Sequence, residues 1–316
     1  SPATVVAIGS IMLPALIKEG YPKSFSTGVI ATGGSLGILI PPSIVLIIYA
    51  VATSQSAGEM FLAGMLPGAL LGLLLVLMIY FTARVKNFPK TKAASIGEVW
   101  GAFKDAFWGL LLVVVVLGGI YGGVFTPTEA AAISAVYAFV VAVFVERSLT
   151  FARVPKVLLS AANTSSMILY IITNAILFSF LLTSEQIPQQ LATWVIENNL
   201  TPFMFLLALN VLLLIAGQFM EPSSIILILA PLALPIAEEL GINPVHLGII
   251  MTINMEIGMV TPPVGLNLFV ASHISRMGMT KVAMAAFPWA LVMIGFLMFI
   301  TFVPEVSLWL PSMVYK

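Results

Sequence analysis

Two stretches of this chain hold residues that could do chemistry in otherwise apolar surroundings. The first reads Gly33-Gly34-Ser35-Leu36-Gly37-Ile38-Leu39-Ile40-Pro41-Pro42-Ser43, and the second Asn254-Met255-Glu256-Ile257-Gly258-Met259-Val260-Thr261-Pro262-Pro263. Proline has no N–H, and its ring clashes with the preceding helical turn. A helix that reaches Pro41-Pro42 loses the donors for the Gly37 and Ile38 carbonyls, and one that reaches Pro262-Pro263 loses those for Gly258 and Met259. Glycines beside each pair let the backbone unwind. A carbonyl without a donor is costly in hydrocarbon. A cation that takes the oxygen as a ligand offsets that cost, and Na⁺ suits neutral backbone and hydroxyl oxygens. The half-helix after each pair aims its positive dipole end at the same spot, which favours an anionic group nearby. A plain proline kink is the alternative at either break alone; two related breaks favour a binding site.

Other polar residues fall close to these breaks. Glu221 and Glu256 are the acids expected at membrane depth, where ionisable groups are candidates for function; helix capping is the plainer role for Glu221, and a protonated structural acid that for Glu256. Asn254, Thr261 and Asn267 cluster beside Glu256, while Ser223 and Ser224 follow Glu221. Together with Ser1, Ser35 and Ser43, the residues Ser223, Ser224, Asn254, Glu256 and Asn267 are the candidates for lining a substrate cavity. His246 and His273 lie near helix ends. The methionines and aromatics read as packing and lipid-facing residues.

These residues must be positioned by membrane helices. The chain has 316 residues, of which 60% are hydrophobic and 8% charged, with mean hydropathy +1.11. A soluble domain carries about 25% charged residues. Apolar segments long enough to cross a hydrocarbon core of about 30 Å recur throughout, at roughly 2–17, 24–50, 60–83, 107–125, 128–145, 157–183, 202–220, 222–240, 246–273 and 282–303. Backbone groups in a bilayer must be satisfied internally, so these are helices. A polar loop is expected at 84–106 and a short surface helix at 184–200. With zero net charge and no basic face, nothing points to nucleic acid; with no cysteine, disulfides and thiolate sites are excluded. The chain opens at Ser1 without a signal-like n-region, and a larger polypeptide is expected to precede it.

Lys and Arg fall in four groups, 18–23, 84–104, 147–156 and 276–281, with Lys316 apart. Alternate threading puts all four on one side, which the positive-inside rule makes cytoplasmic. The threading works only if 202–240 is a re-entrant hairpin that enters and leaves on the outer side, turning at Glu221-Pro222. Pro222 at a first helical position after an acidic cap is a good helix start.

The two breaks are related. Pro14, Pro41, Pro42 and Pro67 recur as Pro235, Pro262, Pro263 and Pro288 at a constant offset of 221 (235 minus 14), and Gly20 and Gly37 recur as Gly241 and Gly258. Five crossings separate the starts of the broken helices, so the two units point in opposite directions. Inverted repeats with discontinuous helices are built this way in many secondary transporters. The expected fold is an all-α polytopic membrane protein with an inverted repeat, re-entrant hairpins and Pro-Pro-broken helices. Residues 1–54 and 201–275 form the two repeat cores, and 55–200 and 276–316 the scaffold.

The first break, the segment Phe125-Thr126-Pro127-Thr128-Glu129-Ala130, and Gly258-Met259-Val260-Thr261-Pro262-Pro263-Val264-Gly265 together resemble the large membrane subunit of tripartite ATP-independent periplasmic (TRAP) transporters. The resemblance runs the length of the chain. It implies an inner-membrane, Na⁺-coupled elevator for a small organic anion, a carboxylate or a sialic-acid-like molecule. It also implies a periplasmic substrate-binding protein and a small membrane subunit as partners. Carried over, Gly37, Ile40 and Pro42 surround one Na⁺, and Gly217, Gly258, Thr261 and Pro263 the other; Na⁺ is the coupling ion and no further cofactor is expected. The sequence departs from the family at its N-terminus, which lacks the first arm of the leading hairpin.

Two other readings compete. A stand-alone elevator symporter would share the repeat physics and need no binding protein. Gly33-Gly34-Ser35-Leu36-Gly37 also fits the Gly-x-Ser-x-Gly nucleophile pattern, with His246 or His273 as base of an intramembrane hydrolase. The repeat speaks against an enzyme: Ser35 corresponds to Glu256, so the geometry recurs and the nucleophile does not.

Overall fold

A computed structural model describes residues 2–89, 94–187, 190, 193, 197 and 200–315. Every regular element among them is helical: α1 (Pro2–Lys18), α2 (Lys23–Gly33), a 3-10 turn (Ser35–Ile38), α3 (Ile44–Thr53), α4 (Ala57–Val85), α5 (Ile96–Tyr121), α6 (Pro127–Val140, continued by a π turn to Val145), a 3-10 turn (Phe151–Arg153), α7 (Val154–Ser184), α8 (Pro202–Gly217), α9 (Pro222–Glu239), α10 (Pro244–Gly258), α11 (Leu266–Ser275), α12 (Met279–Phe302) and α13 (Glu305–Val314). Six helices among the described residues are long and apolar enough to cross a membrane: α4, α5, α6 with its π turn, the Phe151–Phe178 stretch, α9 and α12. The apolar helices α1, α3, α8 and α11 are shorter. At 1.5 Å per residue, the ten residues of α3 or α11 reach about 15 Å, half of a hydrocarbon core.

The starts of these helices follow from local chemistry. Thr201, Glu221 and Asn243 each cap a helix through a side-chain oxygen, and each is followed by proline at the first helical position. One expectation is corrected here. Most of the strip 84–106 is helix rather than loop, because Ser95 and Glu98 form a capping box that starts α5 at Ile96. The C-terminal stretch, beyond the last apolar segment expected at 282–303, folds into a further helix, α13, from Glu305. Most of 184–200, expected as a surface helix, lies outside the described residues.

The chain divides into two compact units, residues 1–90 with 177–316, and 91–176. The second holds α5, α6 and most of α7; α5 and α6 pack together, with Tyr137 donating to the Trp108 carbonyl at 2.8 Å. Its outward surface is apolar: Val114, Val136 and Leu159 are exposed.

The first unit contains both related stretches, and its elements coincide at the 221-residue offset. The helix pairs α1 and α9, α2 and α10, α3 and α11, and α4 and α12 correspond. Gly20 and Gly241 take positive φ, 86° and 73°, in the turns before α2 and α10, a conformation that favours glycine. Ser54 and Arg276 end α3 and α11 in the left-handed region. Both Pro-Pro bonds are cis. The packing is reciprocal as well. Helix α1 contacts α2 of its own repeat and α11 of the other, while α9 contacts α10 of its own repeat and α3 of the other. Helix α8, which packs on α10, has no counterpart among the described residues.

Candidate ion and substrate site

The second break is closed by backbone-to-backbone packing. Gly217 at the end of α8 meets Gly258 at the end of α10. A Cβ on Gly258 would fall 2.6–2.7 Å from the Gly217 backbone, and one on Gly217 would fall 3.3 Å from the Gly258 Cα. Only glycine permits that approach. Beyond Gly258 the chain turns instead of breaking outright. Thr261 N–H donates to the Gly258 carbonyl at 3.2 Å and its hydroxyl to the Ile257 carbonyl at 2.6 Å. The Met259 carbonyl accepts from Asn267 N–H at 3.0 Å, and Val264 N–H reaches across to the Gln218 carbonyl at 3.3 Å. Gly217, Gly258 and Thr261 are thus brought together, with Pro263 exposed at the rim.

At the first break, α2 ends at Gly33, four residues earlier in the repeat than α10, and Ser35–Ile38 wind as a 3-10 turn. The Ser43 hydroxyl donates to the Ile38 carbonyl at 2.5 Å and also caps α3 by accepting from Leu46 N–H. No donor among the described residues reaches the Gly37 carbonyl. Gly37, Ile40 and Pro42 are each exposed. The expectation of four freed carbonyls is therefore revised. Gly37 keeps a bare oxygen, whereas Ile38, Gly258 and Met259 each find a donor in the turn. A carbonyl oxygen has two lone pairs, so one such bond leaves it able to ligate a cation.

The breaks meet where Ser35 and Glu256 touch. These residues stand 221 apart, and the Ser35 hydroxyl lies 3.2 Å from Glu256 Oε1 and 2.7 Å from the Thr32 carbonyl. Two equivalent residues can touch each other only on the axis that relates the repeats, so the contact locates that axis. Asn267 makes a second cross-repeat link, donating to the Ala31 carbonyl at 3.3 Å. Ser35, Asn254, Glu256 and Asn267 are fully buried and Ser43 nearly so. Among the described residues, Asn254 Oδ1, Glu256 Oε2 and Asn267 Oδ1 are buried acceptors without a hydrogen-bond partner; Asn254 and Glu256, two apart on α10, face different neighbours, Asn210 and Ser35. Ser223 and Ser224 are committed to the hairpin tip, where their hydroxyls donate to the two Glu221 carboxylate oxygens at 2.6 and 3.2 Å. Ser1 lies outside the described residues.

Sequence reasoning missed two partners. Asn254 donates to Asn210 Oδ1 at 2.7 Å, and Asn210 in turn to the Thr301 hydroxyl at 2.9 Å, linking α10, α8 and α12 inside the unit. A lone asparagine in the apolar run of α8 was the available signal. His246 Nδ1 sits 2.6 Å from the Ser307 hydroxyl, tying α10 to α13. That bond engages one proposed hydrolase base with Ser307, not Ser35, whose hydroxyl serves Thr32 and Glu256.

Residues 1–306 match the family described as "Tripartite ATP-independent periplasmic transporter, DctM component". The chain belongs to the DctM family. Similar to it are the C4-dicarboxylate TRAP transporter large permease proteins DctM of Rhodobacter capsulatus, 55% identical over 99% of this chain and 74% of the relative, and of Pseudomonas aeruginosa, 54% identical over 99% and 73%. The sialic acid TRAP transporter large permease protein SiaM of Vibrio cholerae is 33% identical over 97% of this chain and 72% of its own length. A DctM-family chain is a transporter subunit, not an enzyme. With six long apolar helices among its described residues this one is a multi-pass inner-membrane protein, and it works as a secondary transporter for a small anion within a multi-subunit system.

Proposed function

We propose that this chain moves a C4-dicarboxylate-like anion into the cell, coupled to Na⁺, by an elevator stroke of its repeat cores. The observation that carries the reading is the meeting of the two breaks at Ser35 and Glu256. The helices that follow the two breaks, α3 and α11, would offer positive N-terminal ends to the two carboxylates. Relatives above 50% identity are named for C4-dicarboxylates and the sialic acid relative is more distant, which favours the dicarboxylate. Na⁺ is assigned to the Gly37 carbonyl with Ile40 and Pro42 in the first repeat, and to Gly217, Gly258, Thr261 and Pro263 in the second. A periplasmic binding protein delivers the substrate, and a small membrane subunit completes the system.

Residues 1–54 and 201–275 form the core of the moving part. The buried Asn254–Asn210–Thr301 chain argues that α12 travels with them, because a stroke that left α12 behind would strip hydrogen bonds from three buried side chains. Succinate uptake into proteoliposomes, with and without a Na⁺ gradient and the cognate binding protein, tests the proposal. Uptake is expected only with both. Uptake on a proton gradient alone at zero Na⁺ would sink the coupling ion, and full uptake without the binding protein would favour a stand-alone symporter.

A further inference from the structure

An apolar groove of about 520 Å³ runs between α4 and α12, and on α4 it begins just beyond Gly68, which faces Ile40 of the first break. Its walls are Leu70, Leu73, Leu74 and Leu77 of α4 and Val292, Gly295, Phe296 and Phe299 of α12. On each helix these positions fall at i, i+3, i+4 and i+7, so each wall is a single stripe. Leu74 and Gly295 stand 221 apart, so the groove straddles the relation between the repeats. Along α4 the same stripe continues through Tyr80 and Phe81 to Arg84. The guanidinium of Arg84 is held in place, with Nε 3.1 Å from the Tyr80 hydroxyl and the charge 5.2 Å above the Tyr80 ring. The positive-inside count makes this end of α4 cytoplasmic.

The chemistry of the walls selects the occupant. Helices that associate in a bilayer approach through small residues, and only Gly295 among the eight is small. The other seven are bulky and leave a slot for something slender and flexible. A cation at one end of that slot, at the level of the cytoplasmic headgroups, asks for a phosphate.

We propose that the groove holds one acyl chain of a cytoplasmic-leaflet phospholipid, with its phosphate on Arg84. The lipid fills the seam between the two equivalent helices and packs them as a pair.

The test is photocrosslinking of the whole transporter in nanodiscs, using a phospholipid with a diazirine in its acyl chain. Crosslinks are expected to concentrate on peptides 70–77 and 292–299, well above the outward face of α12 at Met284, Phe287 and Leu291. Gly295→Trp fills the slot and should lower groove crosslinks by about tenfold or more, the effect of losing about two buried CH₂ groups. Arg84→Gln leaves the slot open and should lower the phospholipid that survives detergent washing, with succinate uptake as the check on folding. Labelling spread evenly around α4 and α12 would mean annular lipid only. A polypeptide captured at residue 74 or 295 would mean that a protein segment fills the groove. Either outcome overturns the proposal, as does retention unchanged in both variants.

Discussion

The two breaks share a proline-glycine punctuation and differ in closure. At the second, α10 stays helical through Gly258, the turn beyond is knitted by Thr261 and Asn267, and Gly258 is buried under Gly217. At the first, helical winding tightens to 3-10 from Ser35, and Gly37 and Ile40 are exposed. At the second break α8 lies on α10, its Gly217 backbone meets Gly258, and the Gln218 carbonyl just beyond it accepts from Val264 N–H. Proline decides where a helix loses its hydrogen bonds. What replaces them depends on what packs alongside.

The comparison breaks most directly at the glycine contact. Gly258→Ala drives a methyl into the Gly217 backbone, a strain of about 1–3 kcal/mol, and should abolish Na⁺-dependent uptake. Gly33→Ala, with no atom within 4 Å of its new Cβ, should leave uptake intact and stability within about 1 kcal/mol. Intrinsic-fluorescence unfolding alongside uptake reads both. Equal losses would mean that the closed and open breaks are alike in tolerance.

Coupling sharpens the contrast next. Thr261→Val keeps the shape and removes the hydroxyl that serves the Ile257 carbonyl, so it should weaken apparent Na⁺ affinity about tenfold, or about 1.4 kcal/mol. Uptake measured against Na⁺ concentration checks it, and an unchanged Na⁺ curve would remove Thr261 from the site. Pro262→Ala restores an N–H that can compete for the Gly258 carbonyl. Since proline costs about 3 kcal/mol in a helix interior, the variant should fold at least as well yet bind Na⁺ more weakly. Pro41→Ala should do the same through Gly37, and more strongly, since no donor among the described residues reaches that oxygen. A well-folded pair of variants with wild-type Na⁺ dependence would show that neither carbonyl is a ligand.

The smallest effect is expected at the axis. Ser35→Ala deletes one hydrogen bond between the repeats, worth about 1 kcal/mol, and touches both breaks equally. A thermal shift confined to the first repeat in hydrogen exchange would contradict the placement of Ser35 on the axis.

How much was legible in advance follows from where each feature is encoded. Hydropathy marks the helices because a bilayer admits little else, and prolines mark the breaks because their defect is local and covalent. Matching Gly20 with Gly241 and Pro41 with Pro262 was therefore enough to predict paired elements, and the elements do pair. The start of α5 at Ile96 was misplaced because polarity was allowed to outweigh a capping box. Helix α13 was missed because ten residues with a proline inside give little periodic signal.

What the sequence determined by itself is most of the apolar helices, their breaks, the repeat and the family, all of which depend on residue types and their spacing along the chain. Tertiary structure alone decided that Ser35 lies on Glu256, that α1 and α9 each pack on the other repeat, and that Asn210 completes a chain from Asn254 to Thr301. The side-chain contacts among them join positions 44, 91 and 221 residues apart, and in hydrocarbon no solvent gradient ranks one apolar face above another. The choice among faces falls to close packing and to the few polar atoms that must find partners, and both depend on where whole helices lie.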